Sequence, residues 1–555
     1  MTKSDIARHP KKTSSAILFI RYWALLSLLL VILLAPYSEI QEQNLIQHKL
    51  YRTVVMLLQD TFFKAILISI VLAALLTIWE IFSRRSKSQK KGILKRLQDK
   101  TRRSYLFKAF SLFSLIILLA INATVVLTQL RQEPNVLFIV VDTLRSDYTP
   151  FGHSKNSNMP QIKKKLMPDS YVFKNAFSNS PWTLPSVASL LTSQYPSRIN
   201  IKNLVSRLDK KNLTIAEVLK DRGYSTVGVI SHILLQTKYG VHQGFDIYNE
   251  NNISSEFSNH YSISSPGITD DAIRFIRKHK RKKFFMLLHY FDPHYTYINH
   301  DSTYEYVGEF TSRNIAYLRN LIRESHYTPK DLAYLKDSYT SEILFTDSYL
   351  GQVIDELKST KLYDNTLIVL TSDHGEEFVE KGWWGHSTTV YNEQIKVPML
   401  LKLPDSKSDL PLASQNSYVS NIDIVPTVLR ILGISPIFDF QGRDIFSEEE
   451  GSKVVYSEVV QREYGEFKNG VCVIQDGWKL VYNLVTKTYE LYDLVEDRGE
   501  IRNVLGSNDD VERSLKMKLA KWLKINRRAP KKTKEREALT EDEKQKLKSL
   551  GYIRD

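Results

Sequence analysis

Five short apolar runs set the frame of this chain. They read NVLFIVV at 135–141, STVGVIS at 225–231, KFFMLLH at 283–289, TLIVLT at 366–371 and VPMLLKL at 397–403. A run of consecutive apolar residues has no face for solvent, so as a strand it must be covered on both sides. Amphipathic helical segments lie between the runs, for example 213–222, 269–280 and 336–358. This alternation predicts an α/β domain with a mostly parallel central sheet flanked by helices on both faces. In such sheets the functional side chains gather where the strands end.

The strand ends here carry chemistry. Asp142 closes the first run. HYFDPHYTY follows the third and offers His289, Asp292 and His294. SDHGEEF follows the fourth, with Asp373, His374, Glu376 and Glu377, and His386 comes soon after in GWWGHSTTVY. Carboxylates and imidazoles brought to one sheet edge suit a divalent cation. Taken singly, each also fits a structural use: Asp142 as a helix cap, His289 as a packed side chain. The stretch SPWTLPSVASLLTSQYPSR, 180–198, places Thr183 after a Pro-Trp turn and before a helical pattern in which Val187, Leu190 and Leu191 share a side. Ser186 or Ser189 is expected to satisfy amides freed at that helix start. A hydroxyl there stands where the helix dipole favours an anion, a seat for a nucleophile that attacks a phosphate or sulfate ester.

The first quarter is of another kind. Apolar stretches at about 15–37, 61–82 and 105–127 each have the length that a bilayer core demands. Arg21 and Lys64 lie toward the ends of their stretches and can snorkel. Lys3, Arg8, Lys11 and Lys12 precede the first stretch, and ten Lys and Arg lie between Ser83 and Ser104. The loop between the first two stretches has Glu39 and Glu42 and few bases. Basic loops stay inside. The expected product is a multi-pass protein of the cytoplasmic (inner) membrane, with the lipid bilayer as partner and everything after 127 on the extracytoplasmic side. The basic loop also explains much of the net charge of +15, so no nucleic-acid partner is expected. Cys472 is the one cysteine, which excludes an intrachain disulfide.

The expected organisation is a membrane anchor with three transmembrane helices (1–133), a catalytic α/β domain (134–450), a small C-terminal subdomain of antiparallel strands and a helix (451–525), and a charged, solvated tail (526–555).

From 135 to about 503 the chain resembles the sulfatase family of the alkaline phosphatase superfamily. The resemblance rests on NVLFIVVDTLRSD, the Thr183 segment with its LLTSQYPSR ending, GYSTVGVIS, FDPHYTY, SDHGEEF, GHSTTVYNEQIKVPMLL, NIDIVPTVLRILG, QGRDIF and ELYDLVEDRGEIRN. It implies a metal-dependent hydrolase or phosphotransferase that acts on an anionic ester. One divalent ion (calcium, manganese or zinc) would be held by Asp142, Thr183, Asp373 and His374. Thr183 would be the nucleophile. His294 and His386 would hold ester oxygens or protonate the leaving group.

The departures from the family pattern bear on the chemistry. Sulfatases carry Cys or Ser at the nucleophile, within a pattern that ends in Pro-Ser-Arg or its like. Here it reads Thr183-Leu184-Pro185-Ser186-Val187. Asp142-Thr143 replaces two adjacent aspartates, Ser231 or His232 stands near a usual lysine, and His386 replaces another. A threonine nucleophile resembles that of membrane-anchored phosphoethanolamine and glycerophosphate transferases, where it forms a covalent phosphothreonine. The expected function is hydrolysis or transfer of phospho- or sulfo-ester groups on extracytoplasmic lipids or glycans. The alternatives are a sulfatase proper and a catalytically inactive binding protein of the same fold.

Overall fold

In a computed structural model of the chain, the first apolar run becomes β1, Asn135–Val141, and each of its residues is buried. The structure describes residues 133–152, 158–253, 263–295, 297, 300, 321–322, 324–405, 414–435, 440–447, 454–459, 470–526, 538–550 and 552–553. All of these belong to one compact unit, Gln132–Asp555. The three apolar stretches assigned to a membrane anchor lie outside the described residues. Among the described residues no helix is long and apolar enough to cross a membrane.

The central sheet adds β2 (Ser170–Val172), β3 (Ser225–Val229), β4 (Ile247–Asn249), β5 (Phe284–Tyr290), β6 (Thr366–Thr371) and β7 (Met399–Lys402). Its order is β2-β7-β6-β1-β5-β3-β4. β1 pairs in parallel with both β5 and β6, and β3 pairs in parallel with β5 and β4. β7 runs antiparallel to β6 and to β2, so the sheet is mostly parallel, as expected. The last expected run splits at Pro398, which supplies no amide proton to a ladder.

The covering helices are the reason the runs are apolar throughout. Successive side chains of a strand point to opposite faces. Val136, Phe138 and Val140 of β1 pack with α2 (Thr183–Thr192) and α5 (Ile424–Ile431). Leu137, Ile139 and Val141 pack with α3 (Ser265–His279) and α4 (Pro329–Ser359). A short helix, α1 (Pro160–Lys165), lies against α4.

A second sheet, β8 (Val455–Val459), β9 (Gly470–Gln475), β10 (Trp478–Asn483) and β11 (Tyr489–Asp493), is antiparallel throughout. Val471, Val473 and Leu480 meet Leu515, Leu519 and Trp522 of α6 (Asp509–Asn526) on one face. Cys472, Ile474 and Val481 meet Phe177, Val390 and Ile395 on the other. The final described helix is α7, Glu541–Ser549. Instead of standing in solvent, its segment buries Leu539, Leu547, Leu550 and Tyr552 in the core that includes α2.

Candidate active site

The strand register puts three loops at one level. Val140 is opposite both His289 of β5 and Thr371 of β6, so Asp142 and Asp373 leave adjacent strands side by side. Their loops are tied together. Leu144 N–H donates to Ser372 Oγ at 3.0 Å, and Thr143 N–H to Asp373 Oδ1 at 3.3 Å. Thr143 adopts a left-handed φ of 55°, costly for a branched residue. Its hydroxyl donates to Pro293 O at 2.8 Å and its carbonyl accepts from Tyr339 Oη at 2.7 Å, which hold that conformation. Its side chain thus faces the 293 loop, which explains why a threonine can stand beside Asp142. Gly375 lets the other loop close: a Cβ there would meet Glu393 O at 2.1 Å.

Asp142, Asp373 and His374 converge, with one candidate ligand atom from each lying within 4.8 Å of the others. All three are fully buried. His374 Nδ1–H donates to Gly375 O at 3.0 Å, which leaves the Nε2 lone pair facing the carboxylates. That nitrogen lies 3.5 Å from Asp142 Oδ1 and 3.5 Å from Asp373 Oδ2. Burial pushes Asp142 well above the ordinary carboxylate range, and the Asp373 and Glu376 carboxylates add to the shift. Burial also opposes charge on Asp373, but the His374 and His289 rings outweigh it and hold the group at about 2. Burial lowers His374 to about 4.

Neither oxygen of Asp142, nor Asp373 Oδ2, has a hydrogen-bond donor. Orphaned buried carboxylate oxygens are costly and are rare without a cation. The residues therefore fit a dication. His289 belongs with them: both its ring nitrogens are buried without a hydrogen bond, and Nε2 lies 3.7 Å from Asp142 Oδ2 and 3.8 Å from Asp373 Oδ2. The sequence offered His289 but could not separate it from a packed residue.

Thr183 is the first residue of α2, and Trp182 before it is extended. Thr183 Oγ1 lies 3.2 Å from His374 Nε2. The expected serine cap is absent. Ser186 Oγ instead donates to Asp373 O at 2.6 Å, which fixes the start of α2 against the Asp373 loop. Ser189 Oγ is buried without a partner.

Further imidazoles stand near His374 and Asp142. His294 Nδ1–H donates to Tyr295 O at 2.5 Å, and burial, with His386 beside it, lowers the ring to about 3. Its Nε2 then presents a lone pair. His386 Nδ1 lies 3.1 Å from Glu376 Oε1, and its ring stands 4.5 Å from His374 and 4.9 Å from His294. His232 Nδ1 accepts from Leu234 N–H at 3.0 Å, so its Nε2 carries the proton. Of the two residues offered in place of the usual lysine, His232 enters the site. Ser231 Oγ donates to His289 O at 2.7 Å.

Asp292 and Glu377 do not enter the site. Asp292 accepts from Ser264 N–H and Ser265 N–H, each at 2.7 Å, and caps α3. Glu377 accepts from Lys381 N–H, Trp383 N–H and Gln394 Nε2. One neighbour of Thr183, outside the catalytic set, was invisible in the sequence. Tyr552 Oη stands 3.0 Å from Thr183 Oγ1.

The model of the Sulfatase family matches residues 134–434, and that of the N-sulphoglucosamine sulphohydrolase C-terminal region matches 379–527. The chain is 24% identical to a choline-sulfatase of Rhizobium meliloti over 432 residues, 67% of this chain and 82% of that one. Among solved structures it is similar to a phosphonate monoester hydrolase of Silicibacter pomeroyi, with TM-score 0.58 and 19% identity over 71% of this chain and 95% of that one. A 2-O GAG sulfatase gives TM-score 0.58 and 17% identity over 71% and 92%.

Proposed function

The chain belongs to the sulfatase family of ester-hydrolysing enzymes, and we propose that it works through an unmodified threonine, Thr183, on phosphate or phosphonate esters. The observation that carries this is the Thr183 hydroxyl, buried at a helix start and 3.2 Å from His374 Nε2 beside Asp142 and Asp373. Asp142, Asp373, His374 and Thr183 would hold a dication, with His289 as a further ligand. Such an ion, when bound, supplies a Lewis acid and favours the alkoxide of Thr183.

Once its proton is lost to a neighbouring imidazole, Thr183 Oγ bonds to phosphorus as the bond to the leaving oxygen breaks. His386, oriented by Glu376, is placed to give that oxygen its proton. Water or an alcohol then bonds to phosphorus as the bond to Thr183 Oγ breaks; its proton passes to His294 Nε2, and Thr183 Oγ takes back the proton it gave. Transfer to an alcohol and hydrolysis differ only in this acceptor. The enzyme is proposed to sit in the cytoplasmic membrane through 15–37, 61–82 and 105–127, and to act on lipid or glycan headgroups outside it.

Sulfate ester hydrolysis is the second reading, favoured by the family model over 134–434. A panel of nitrophenyl sulfate, nitrophenyl phosphate, bis(nitrophenyl) phosphate and nitrophenyl phenylphosphonate separates the two. The expected result is faster turnover of the phosphorus esters, a mass increase on the Thr183 peptide equal to the trapped phosphoryl or phosphonyl group, and a loss of at least about 10³-fold in Thr183→Ala. Preferred turnover of the sulfate, with sulfate on Thr183, would establish the second reading. Full activity in Thr183→Ala would remove both.

A further inference from the structure

The reacting hydroxyl of this site is sealed by the chain's own distal segment. Thr183 is 0% exposed, and so are Asp142, His232 and His374. What covers them includes the segment that carries α7. Thr540 caps this helix by accepting from Glu543 N–H, while the Glu543 side chain accepts from Thr540 N–H at 2.9 Å. Glu543 also pairs with Lys238 at 2.6 Å. Leu539, Leu547 and Leu550 are buried, whereas Glu541, Asp542 and Lys544 point to solvent or to one another. Buried apolar side chains and the Glu543–Lys238 ion pair are among the contacts that hold the segment to the catalytic unit.

Tyr552 is its innermost residue. The phenol oxygen stands 3.0 Å from Thr183 Oγ1, 3.3 Å from His232 Nε2 and 3.4 Å from His294 Nε2. The proton inventory is consistent. His232 Nε2–H donates to the phenol oxygen, the phenol O–H faces Thr183 Oγ1 and the bare His294 Nε2, and Thr183 O–H faces His374 Nε2. The ring itself stacks on His294 at 6.0 Å and meets His386 edge-on at 5.3 Å. Rings wall the place of the phenol: Trp182, His232, His294 and His386.

An ester attacked by Thr183 must bring its central atom to about 3–3.5 Å from Oγ1. Tyr552 Oη already stands at that distance. A phenol and a reacting ester that share this position exclude each other.

We propose that the described segment 538–550, with residues 552–553, is a built-in competitive ligand of the active site, the Tyr552 phenol seated where the reacting ester group must go. Substrate enters only when this segment withdraws. The proposal rests on the reading of Thr183 as the nucleophile. It further implies that the pocket next to Thr183 accepts a flat hydroxyaryl group.

An internal competitor lowers the fraction of competent molecules and raises the apparent KM by the same factor, while kcat at saturation is unchanged. The test uses the full chain in detergent and the variants Tyr552→Ala and Tyr552→Phe, each checked for folding by its melting temperature. Tyr552→Ala is expected to lower KM by roughly tenfold or more at constant kcat, with Tyr552→Phe in between, since it keeps the ring and loses the hydroxyl. A synthetic peptide of residues 538–553 is expected to inhibit Tyr552→Ala competitively. Access is read separately, without turnover, by diethyl pyrocarbonate labelling of His232 and His294: slow in the native chain and faster in Tyr552→Ala. Faster labelling in a chain inactive on every ester supports the seal and overturns the nucleophile assignment instead. A folded Tyr552→Ala with unchanged labelling, or one with lower kcat and unchanged KM, overturns the proposal.

Discussion

At the scale of single residues, the site divides into groups that a sequence can announce and groups that only the fold assembles. Asp142, Asp373 and His374 follow apolar runs directly, so their place at the sheet edge is readable from the runs themselves. His294 and His386 lie in loops, and it was their order relative to those runs that pointed to them. His289 is harder. As the sixth residue of β5 it is indistinguishable from a core position until the register sets it opposite Val140. Tyr552 is 369 residues from Thr183 in the chain, and nothing in its neighbourhood has a periodicity that points inward. The assignment of His289 leads to a measurement. Removing a ligand weakens a metal site without exposing new core. His289→Ala, dialysed against a range of free zinc or manganese and read by plasma mass spectrometry, should bind the ion about 10–100-fold more weakly, by analogy with the loss of supporting groups at metal sites. Undiminished affinity would return His289 to a packing role.

At the scale of elements, the runs that are apolar on every residue were legible because burial on both faces leaves no alternative. The three-residue edge strands β2 and β4 were not, since a strand that short carries no pattern. The start of α2 shows another limit. Ser186 has the right residue type for a cap, yet tertiary structure uses its hydroxyl to hold the Asp373 carbonyl, a contact over 187 residues. A comparable long-range link joins α4 to α1. Asp347 on α4 accepts from Gln161 N–H at 2.7 Å and Ile162 N–H at 3.0 Å, in the first turn of α1. Burial nonetheless dominates and raises Asp347 to about 6. The folded state then holds the proton more tightly than the unfolded chain does. Its contribution to stability is complete below the ordinary carboxylate range and is lost as pH rises toward and through about 6. Asp347→Asn removes this titration. The melting temperature of the native chain minus that of the variant should fall between pH 4 and pH 7, and a constant difference would show that Asp347 keeps an ordinary pKa.

At the scale of the whole molecule, the proposed membrane anchor raises the question of the side on which the Thr183 site works. The charges of the first 130 residues bear on the answer. Ten Lys and Arg between Ser83 and Ser104 would face a heavy penalty in crossing a bilayer, whereas the loop at 38–52 carries Glu39 and Glu42 and few bases. If the three proposed spans cross, the parity is odd, and an inside N-terminus would put everything after 127 outside. The second sheet, packed on the catalytic unit through Cys472, Ile474 and Val481, must follow it. The prediction is therefore common to all residues from Gln132 onward. A reporter enzyme that folds only outside the cytoplasm, fused after residue 133, should be active, and a protease added to intact spheroplasts should digest it. The same fusion after residue 95, within the basic loop, should be inactive and protected. If both fusions were protected, the stretches would not cross as read, and an enzyme facing the cytoplasm would need a soluble anionic ester there instead of an extracytoplasmic headgroup. If Ala replaced the ten bases and the 133 fusion lost its activity, charge and not span count would be shown to set the side on which the ester is met.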